Sequence, residues 1–178
     1  MQVSDNLDKS WHLANHENVK DLTEFEFLLW RAFYGFIRWQ EDCESKINSL
    51  TLTGHELALL HIIRMNDAPK TIYEVARLLN RDDISNVQYG IKKLAQLGLV
   101  EQAKGGTQKA VNYQATKKGI KDTDLYTKTR EHVLGEVFKN TEGLQNIKET
   151  IKTLALMKNV YDEASRVMST YKGLASKE

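Results

Sequence analysis

The side chains best suited to chemistry lie in residues 84–97, and that chemistry is hydrogen bonding rather than catalysis. At about 100° per residue, a helix here would bury one apolar row and turn polar side chains to the opposite side. Base edges in the major groove of DNA need such donors and acceptors. An ordinary solvated helix surface has a similar composition. The polar set comprises Ser85, Asn86, Gln88 and Tyr89, expected at base or mixed contacts, and Lys92 and Lys93, expected at phosphates.

A basic, glycine-containing segment follows this helix. Two glycines stand between two predicted short strands, one at 99–100 and one at 111–115, and glycine permits the positive φ angles of a hairpin tip. Lys104, Gln108 and Lys109 flank that tip and are expected to lie along the DNA backbone or minor groove. A lysine-rich turn could instead only keep a strand edge soluble. Its position directly after a polar helix favours DNA contact.

Two shorter helices are expected to hold the polar helix in place. Thr53 and Thr71 each begin a Thr-x-x-Glu pattern, which is typical of a capped helix start. An Arg-Asp-Asp turn follows at 81–83, where either aspartate can cap the helix from Ile84. Helix, turn, helix and hairpin in this order predict a winged helix-turn-helix domain.

Long helices are predicted on both sides of this domain. The Thr-x-x-Glu pattern at Thr23 predicts a helix to about Ile47, and Thr116 is expected to cap one reaching about Phe138. The aromatic content of the first helix exceeds what one buried stripe needs, and a long apolar stripe runs from Leu144 to Met168; both favour dimerisation. The predicted fold is mainly α with a small β-hairpin wing. Its divisions are a mobile N-terminal tail (1–20), dimerisation helices (21–50 and 117–178) and a winged helix-turn-helix DNA-binding domain (51–116).

Composition narrows the classes of function. The chain has 178 residues and a net charge of +1, but residues 81–121 carry eight lysines and arginines against three acids, a pattern typical of a nucleic-acid surface. One cysteine, Cys43, excludes an internal disulfide and a multi-cysteine zinc site, and a spectator thiol is the favoured interpretation. We find no phosphate loop, metal-ligand spacing or nucleophile motif, so no enzyme, cofactor or metal is predicted. Without a long apolar run or signal peptide, the expected location is cytoplasmic, away from membranes.

Three short patterns occur in an order that resembles the MarR family of bacterial transcription regulators. The segment Thr71–Ala76 resembles the family's Thr-x-x-Glu-Leu-Ala helix, and residues 94–100 its Leu-x-x-x-Gly-Leu-Val exit from the recognition helix. The segment Thr116–Gly119 resembles its Leu-Thr-x-x-Gly pattern after the wing. The resemblance covers about 22–170. The family's usual Asp-x-Arg pair is missing from the wing, so Lys104 or Lys109 is the expected substitute.

The resemblance implies a homodimer that binds double-stranded DNA, with a roughly palindromic operator. It also implies a small-molecule effector in a pocket between the dimerisation and DNA-binding regions, where Trp30, Tyr34 and His61 are the candidate lining residues. The rival interpretation is a winged-helix module that binds protein instead of DNA. The basic block at 81–121 favours DNA, while the acidic first 80 residues keep the rival open.

Overall fold

A computed structural model describes residues 11–14, 19–104, 111–142 and 146–172. The predicted fold class is confirmed, since the described residues form helices and one small antiparallel sheet. The chain divides into two compact units, Met1–Thr129 and Arg130–Glu178. The α-helices are α1 (Lys20–Ile47), α2 (Gly54–Arg64), α3 (Ile72–Leu78), α4 (Ile84–Gln96), α5 (Lys117–Thr129), α6 (Gly135–Lys139) and α7 (Ile147–Thr170). The strands are β1 (Lys70–Thr71), β2 (Val100–Gln102) and β3 (Asn112–Ala115).

Capping boxes begin α2 and α3, as their sequence patterns predict. The Thr53 hydroxyl accepts a bond from the Glu56 amide at 3.3 Å, and the Glu56 carboxylate accepts one from the Thr53 amide at 2.9 Å. Thr71 and Glu74 make the same reciprocal pair at 3.2 and 2.7 Å. Each pair satisfies amides that the helix itself leaves unbonded, which fixes where both helices begin.

The same pattern at Thr23 does not begin a helix, and the expectation there was wrong. Helix α1 starts at Lys20, so Thr23 is already inside it. Its hydroxyl donates to the carbonyl oxygens of Val19 at 2.8 Å and Leu13 at 2.7 Å. A threonine within a helix can bond the carbonyl four residues earlier, and this alternative prevailed. The predicted end at Ile47 is confirmed.

The turn between α3 and α4 is closed by its own backbone. Asn80 adopts a left-handed conformation with φ of 54°, which asparagine tolerates better than most residues. The Arg81 amide then donates to the Ala76 carbonyl at 2.9 Å, and the Asn80 amide to that of Arg77 at 3.1 Å. This pair of bonds ends a helix while satisfying its last carbonyl groups. The chain therefore leaves α3 in a fixed direction and enters α4 at Ile84.

Helix α4 packs on α2 through its apolar row. Val87, Ile91 and Leu94 are at most 1% exposed, as the sequence predicts for the inner face. Gly90 lies in the same row, where an added Cβ would stand 2.4 Å from Cδ1 of Leu59 on α2. Each fully buried side chain of this size contributes about 1.5–3 kcal/mol. The α2 side of this core is formed by Leu57, Leu59, Leu60 and Ile63.

The wing sheet has three strands in the order β1-β3-β2, where the sequence predicted two. Strand β1 has only two residues, which pair Lys70 with Tyr113 and Thr71 with Asn112. So short a strand carries no alternating pattern, and its pairing partner lies over 40 residues away, which is why local reasoning missed it. Because β1 leads directly into α3, the wing and the helix-turn-helix share a backbone connection. The predicted hairpin tip lies outside the described residues.

The helices after the wing differ from the prediction mainly in one segment. Thr116 caps α5 as expected, since its hydroxyl accepts a bond from the Gly119 amide at 3.1 Å. Helical backbone continues to Lys139, one residue beyond the predicted end, with a π-helical stretch at Arg130–Leu134 where the second unit begins. Helix α7 lies wholly within the described residues, and none of its side chains is buried.

Candidate nucleic-acid interface

The outer face of α4 is exposed, opposite the row that packs on α2. Tyr89 is 70% exposed and lies about one turn from Lys92, which is also exposed. The structure thus brings most of the predicted contact residues together on one helix face, as the periodicity indicates. The exposed members of the set are Ser85, Asn86, Gln88, Tyr89 and Lys92.

Lys93 differs from its neighbour Lys92. Its ammonium nitrogen lies 2.8 Å from Oε2 of Glu56, and the Lys93 side chain is only 35% exposed. Burial alone would raise the pKa of Glu56, but the bonds from Lys93 and from the Thr53 amide outweigh it and lower the pKa. Lys93 therefore directs its charge toward α2, an interaction between residues 37 apart that sequence reasoning missed.

The Asp83 carboxylate, at the start of α4, accepts three hydrogen bonds from neighbouring side chains. Arg81 donates from Nε to Oδ1 of Asp83 at 2.7 Å and from Nη2 to Oδ2 at 2.5 Å. Asn86 donates from Nδ2 to the same Oδ2 at 3.1 Å. The Arg81 guanidinium, with help from Asn86, holds the pKa of Asp83 well below its usual range. We call these three residues the Arg81–Asp83–Asn86 cluster.

The expected aspartate cap of α4 is present in the backbone but not in the side chain. Asp83 is the capping residue, and its carbonyl accepts bonds from the amides of Asn86 and Val87. Its carboxylate makes no capping bond. The competing partner is the Arg81 guanidinium, because a bidentate charged pair is stronger than one bond to a helix amide.

Of the three contact residues predicted in the wing, the structure describes one. Lys104 is exposed just beyond β2, while Gln108 and Lys109 lie outside the described residues. On β3, Nε2 of Gln114 donates a 3.0 Å hydrogen bond to Oε1 of Glu101 on β2. One of the three acids in residues 81–121 therefore has a partner within the protein.

The three candidate pocket residues have different environments. Trp30 and Tyr34 lie one turn apart on α1 and are 52% and 65% exposed. His61 is half-buried on α2, with its ring 4.7 Å from that of Tyr126, and burial lowers its pKa. His61 packs its ring against that of Tyr126 on α5 in this structure, and the pocket stays a prediction.

Other groups in the described residues have little reactivity. Burial raises the pKa of the Cys43 thiol, and Asp42 and Glu44 raise it further, which agrees with a spectator thiol. Within the described ranges, no cluster of three or more His, Cys, Asp or Glu side chains could hold a metal ion. The described helices also include none that is long and apolar enough to cross a bilayer.

Comparison of the sequence with protein families gives one match. Residues 52–119 match the family described as a winged helix DNA-binding domain. This range covers α2 through the first turn of α5, including the outer face of α4 and the wing. No curated protein sequence matches the chain.

Solved structures match over most of the chain. A MarR family regulator from Neisseria meningitidis superposes with a TM-score of 0.62 and 16% identity, covering 85% of this chain and 98% of that one. FabT of Streptococcus pneumoniae in complex with DNA gives 0.60 and 14%, covering 82% and 99%. The MepR–DNA complex of S. aureus gives 0.59 and 13%, covering 76% and 97%.

Fold and site together define a class of protein. The described part of residues 52–119 has the helix-turn-helix and wing arrangement of the winged helix family that it matches, with long helices before and after it. The chain has the fold of the MarR family regulators, which confirms the resemblance stated from its sequence patterns. The matched structures include transcription regulators such as SlyA.

Proposed function

We propose that this protein is a homodimeric transcription regulator that binds specific sequences in double-stranded DNA. The observation that carries the proposal is the outer face of α4. This face exposes hydroxyl, amide and ammonium groups to solvent, while the apolar residues on the opposite face of α4 are buried in the core. A helix held this way can enter the major groove as a rigid body, and its N-terminal residues then meet base edges.

Charge and relatives support DNA as the partner. Lys92 and Lys104 are exposed on the two elements that a winged helix-turn-helix presents to a duplex. Two of the matched structures, FabT and MepR, contain DNA. In the proposed roles, Ser85, Asn86, Gln88 and Tyr89 contact bases, Lys92 and Lys104 contact phosphates, and Gln108 and Lys109 extend the wing contact.

Dimerisation is proposed through the long helices. On α1, Trp30, Phe33 and Phe36 are each about half exposed, and α7 exposes a further apolar row from Ile151 to Met168. Apolar surface of this extent is unfavourable in water and typical of an interface. A two-fold dimer would separate the two α4 helices by about one turn of DNA, roughly 34–36 Å. A regulator of this kind acts on chromosomal DNA, so the cytoplasm is the proposed location.

A fluorescence-anisotropy titration tests the proposed function. The protein is titrated with random duplexes and with duplexes enriched by repeated selection on the protein, at several salt concentrations. We expect the enriched duplexes to bind more tightly than the random ones, with affinity that falls steeply as salt rises. Equal affinity for both pools would contradict sequence specificity. Absence of binding at low salt would contradict DNA binding and favour the protein-binding alternative.

A further inference from the structure

The Arg81–Asp83–Asn86 cluster lies between the helix-turn-helix turn and the first turn of α4. We infer that Arg81 and Asp83 are positioning residues that fix the Asn86 amide to recognise adenine in the major groove. The inference rests on the proposed function and adds to it the base read by one residue. It is carried by three hydrogen bonds that converge on one carboxylate.

The chemistry of the Asp83 carboxylate decides which way the Asn86 amide faces. An ionised carboxylate only accepts hydrogen bonds, so the amide must turn its nitrogen toward Asp83 and its oxygen away. The 3.1 Å contact joins Nδ2 of Asn86 to Oδ2 of Asp83, and the described residues place no partner at Oδ1 of Asn86. Asn86 is exposed, so Oδ1 and the second N–H are available to a ligand.

Arg81 keeps Asp83 in place and ionised. Its two bonds to the two carboxylate oxygens fix the plane of the group, because a guanidinium and a carboxylate pair side by side. The pairing also neutralises an acid that would otherwise repel DNA phosphates near the start of α4. Arg81 belongs to the basic block by composition, yet its charge is used within the protein.

The remaining donor and acceptor of Asn86 match one base. Adenine presents an amino donor at N6 beside an acceptor at N7, so Oδ1 can accept and the free N–H can donate. Guanine presents two acceptors, O6 and N7, and satisfying both would need the N–H that Asp83 holds. The cluster therefore favours adenine and disfavours guanine at the base pair that Asn86 meets.

Asp82 provides a matched control for Asp83. It is the neighbouring acid, it is exposed, and its side chain has no hydrogen bond or ion pair among the described residues. Asp82→Asn removes the same formal charge from the same turn without touching the cluster. A purely electrostatic role for the turn would make the two positions equivalent.

The experiment measures binding of the full chain to a panel of duplexes, each with one base pair of the selected sequence changed. Wild type, Asp83→Ala, Asp83→Asn, Asn86→Ala and Asp82→Asn are compared, and circular dichroism melting checks their folding. We expect Asn86→Ala and Asp83→Ala to lose, at the same base pair, a preference for adenine over guanine of roughly tenfold. Asp83→Asn keeps one acceptor oxygen and should lose part of it. Asp82→Asn should change all affinities by a common factor.

Several outcomes would overturn the inference. An Asp83→Ala profile that keeps the wild-type preference, or one that matches Asp82→Asn, would show that Asp83 does not position the amide. A preference for guanine at the position lost in Asn86→Ala would refute the assigned base. If Asp83→Ala unfolds, Asp83→Asn decides between these results. Wild type that binds no duplex would overturn the proposed function itself, and this inference with it.

Discussion

The ammonium nitrogen of Lys93 lies 2.8 Å from Oε2 of Glu56, and this pair joins the last turn of α4 to the first turn of α2. The same carboxylate oxygen accepts a hydrogen bond from the Thr53 amide, so one acid both caps α2 and holds α4 against it. Lys93 therefore forms an ion pair within the protein, between α4 and α2. The orientation of the outer face of α4 is therefore set partly by a contact that faces away from the proposed DNA.

Removing the Glu56 charge should lower the free energy of unfolding and make that free energy less dependent on pH. Glu56→Gln should lower the free energy of unfolding at pH 7 by about 1–3 kcal/mol, because it weakens bonds to an ammonium and a cap amide. The folded protein holds the pKa of Glu56 below 4.5, so its contribution is complete above that pH and is lost as pH falls through the folded value. Urea titrations at pH 7, 5 and 3.5 measure both effects. Equal pH dependence in the two proteins would contradict this role.

Replacing Lys92 and replacing its neighbour Lys93 should have different effects on the salt dependence of DNA binding. Lys92→Ala should reduce the slope of log affinity against log salt by about 1, since an exposed lysine at a phosphate releases one counterion. Lys93→Ala should change that slope less and reduce stability more, because its ammonium is bonded to Glu56. Lys148→Ala, an exposed lysine in the second unit, serves as the charge-matched control. Identical slopes for the two α4 variants would refute the distinction.

Lys70 should be more important for stability than a surface lysine. It is 7% exposed, and its ammonium donates to the carbonyl oxygens of Ile63 at 3.3 Å, Ala68 at 2.8 Å and Met65. Lys70→Met should lower the free energy of unfolding by about 1–3 kcal/mol, because buried carbonyl groups lose a donor. The control is Lys121→Met on α5, which is exposed and should change it by under about 0.5 kcal/mol. Equal urea midpoints for the two variants would refute this account of β1.

Placing a charge in the apolar row of α7 should disrupt the proposed dimer. Leu154 is 46% exposed in the single chain, and Leu154→Glu should shift sedimentation toward the monomer. Ala155→Glu adds the same carboxylate to an exposed position about 100° round the same helix, one turn from Lys152 and Lys158, and should leave the mass unchanged. A dimer that survives Leu154→Glu would move the interface away from α7.

Elements defined by local chemistry could be predicted from the sequence, and elements defined by distant pairing could not. The capping boxes at Thr53 and Thr71 depend on residues within one turn, so their patterns were sufficient. The pattern at Thr23 misled because a helix had already begun three residues earlier, through backbone bonds that leave no pattern of their own.

The candidate site divides in the same way. Helical periodicity predicts which side of α4 faces outward, and the structure agrees for Asn86, Tyr89 and Lys92. Periodicity carries no information on what an outward side chain bonds to. Lys93 and Glu56 are 37 residues apart in the sequence, so their ion pair leaves no local pattern. The Arg81–Asp83 hydrogen bonds depend on a turn geometry that only the folded backbone defines. Roles that depend on these contacts required the structure.

Hydroxyl-radical footprinting of the full protein on a selected duplex tests the central claim most directly. A two-fold dimer that inserts two α4 helices into successive major grooves should protect two symmetric regions with centres about 10 base pairs apart. Tyr89→Ala should weaken both regions equally if each α4 makes the same contacts. A single asymmetric region, or uniform cleavage at protein concentrations that saturate binding, would contradict the account.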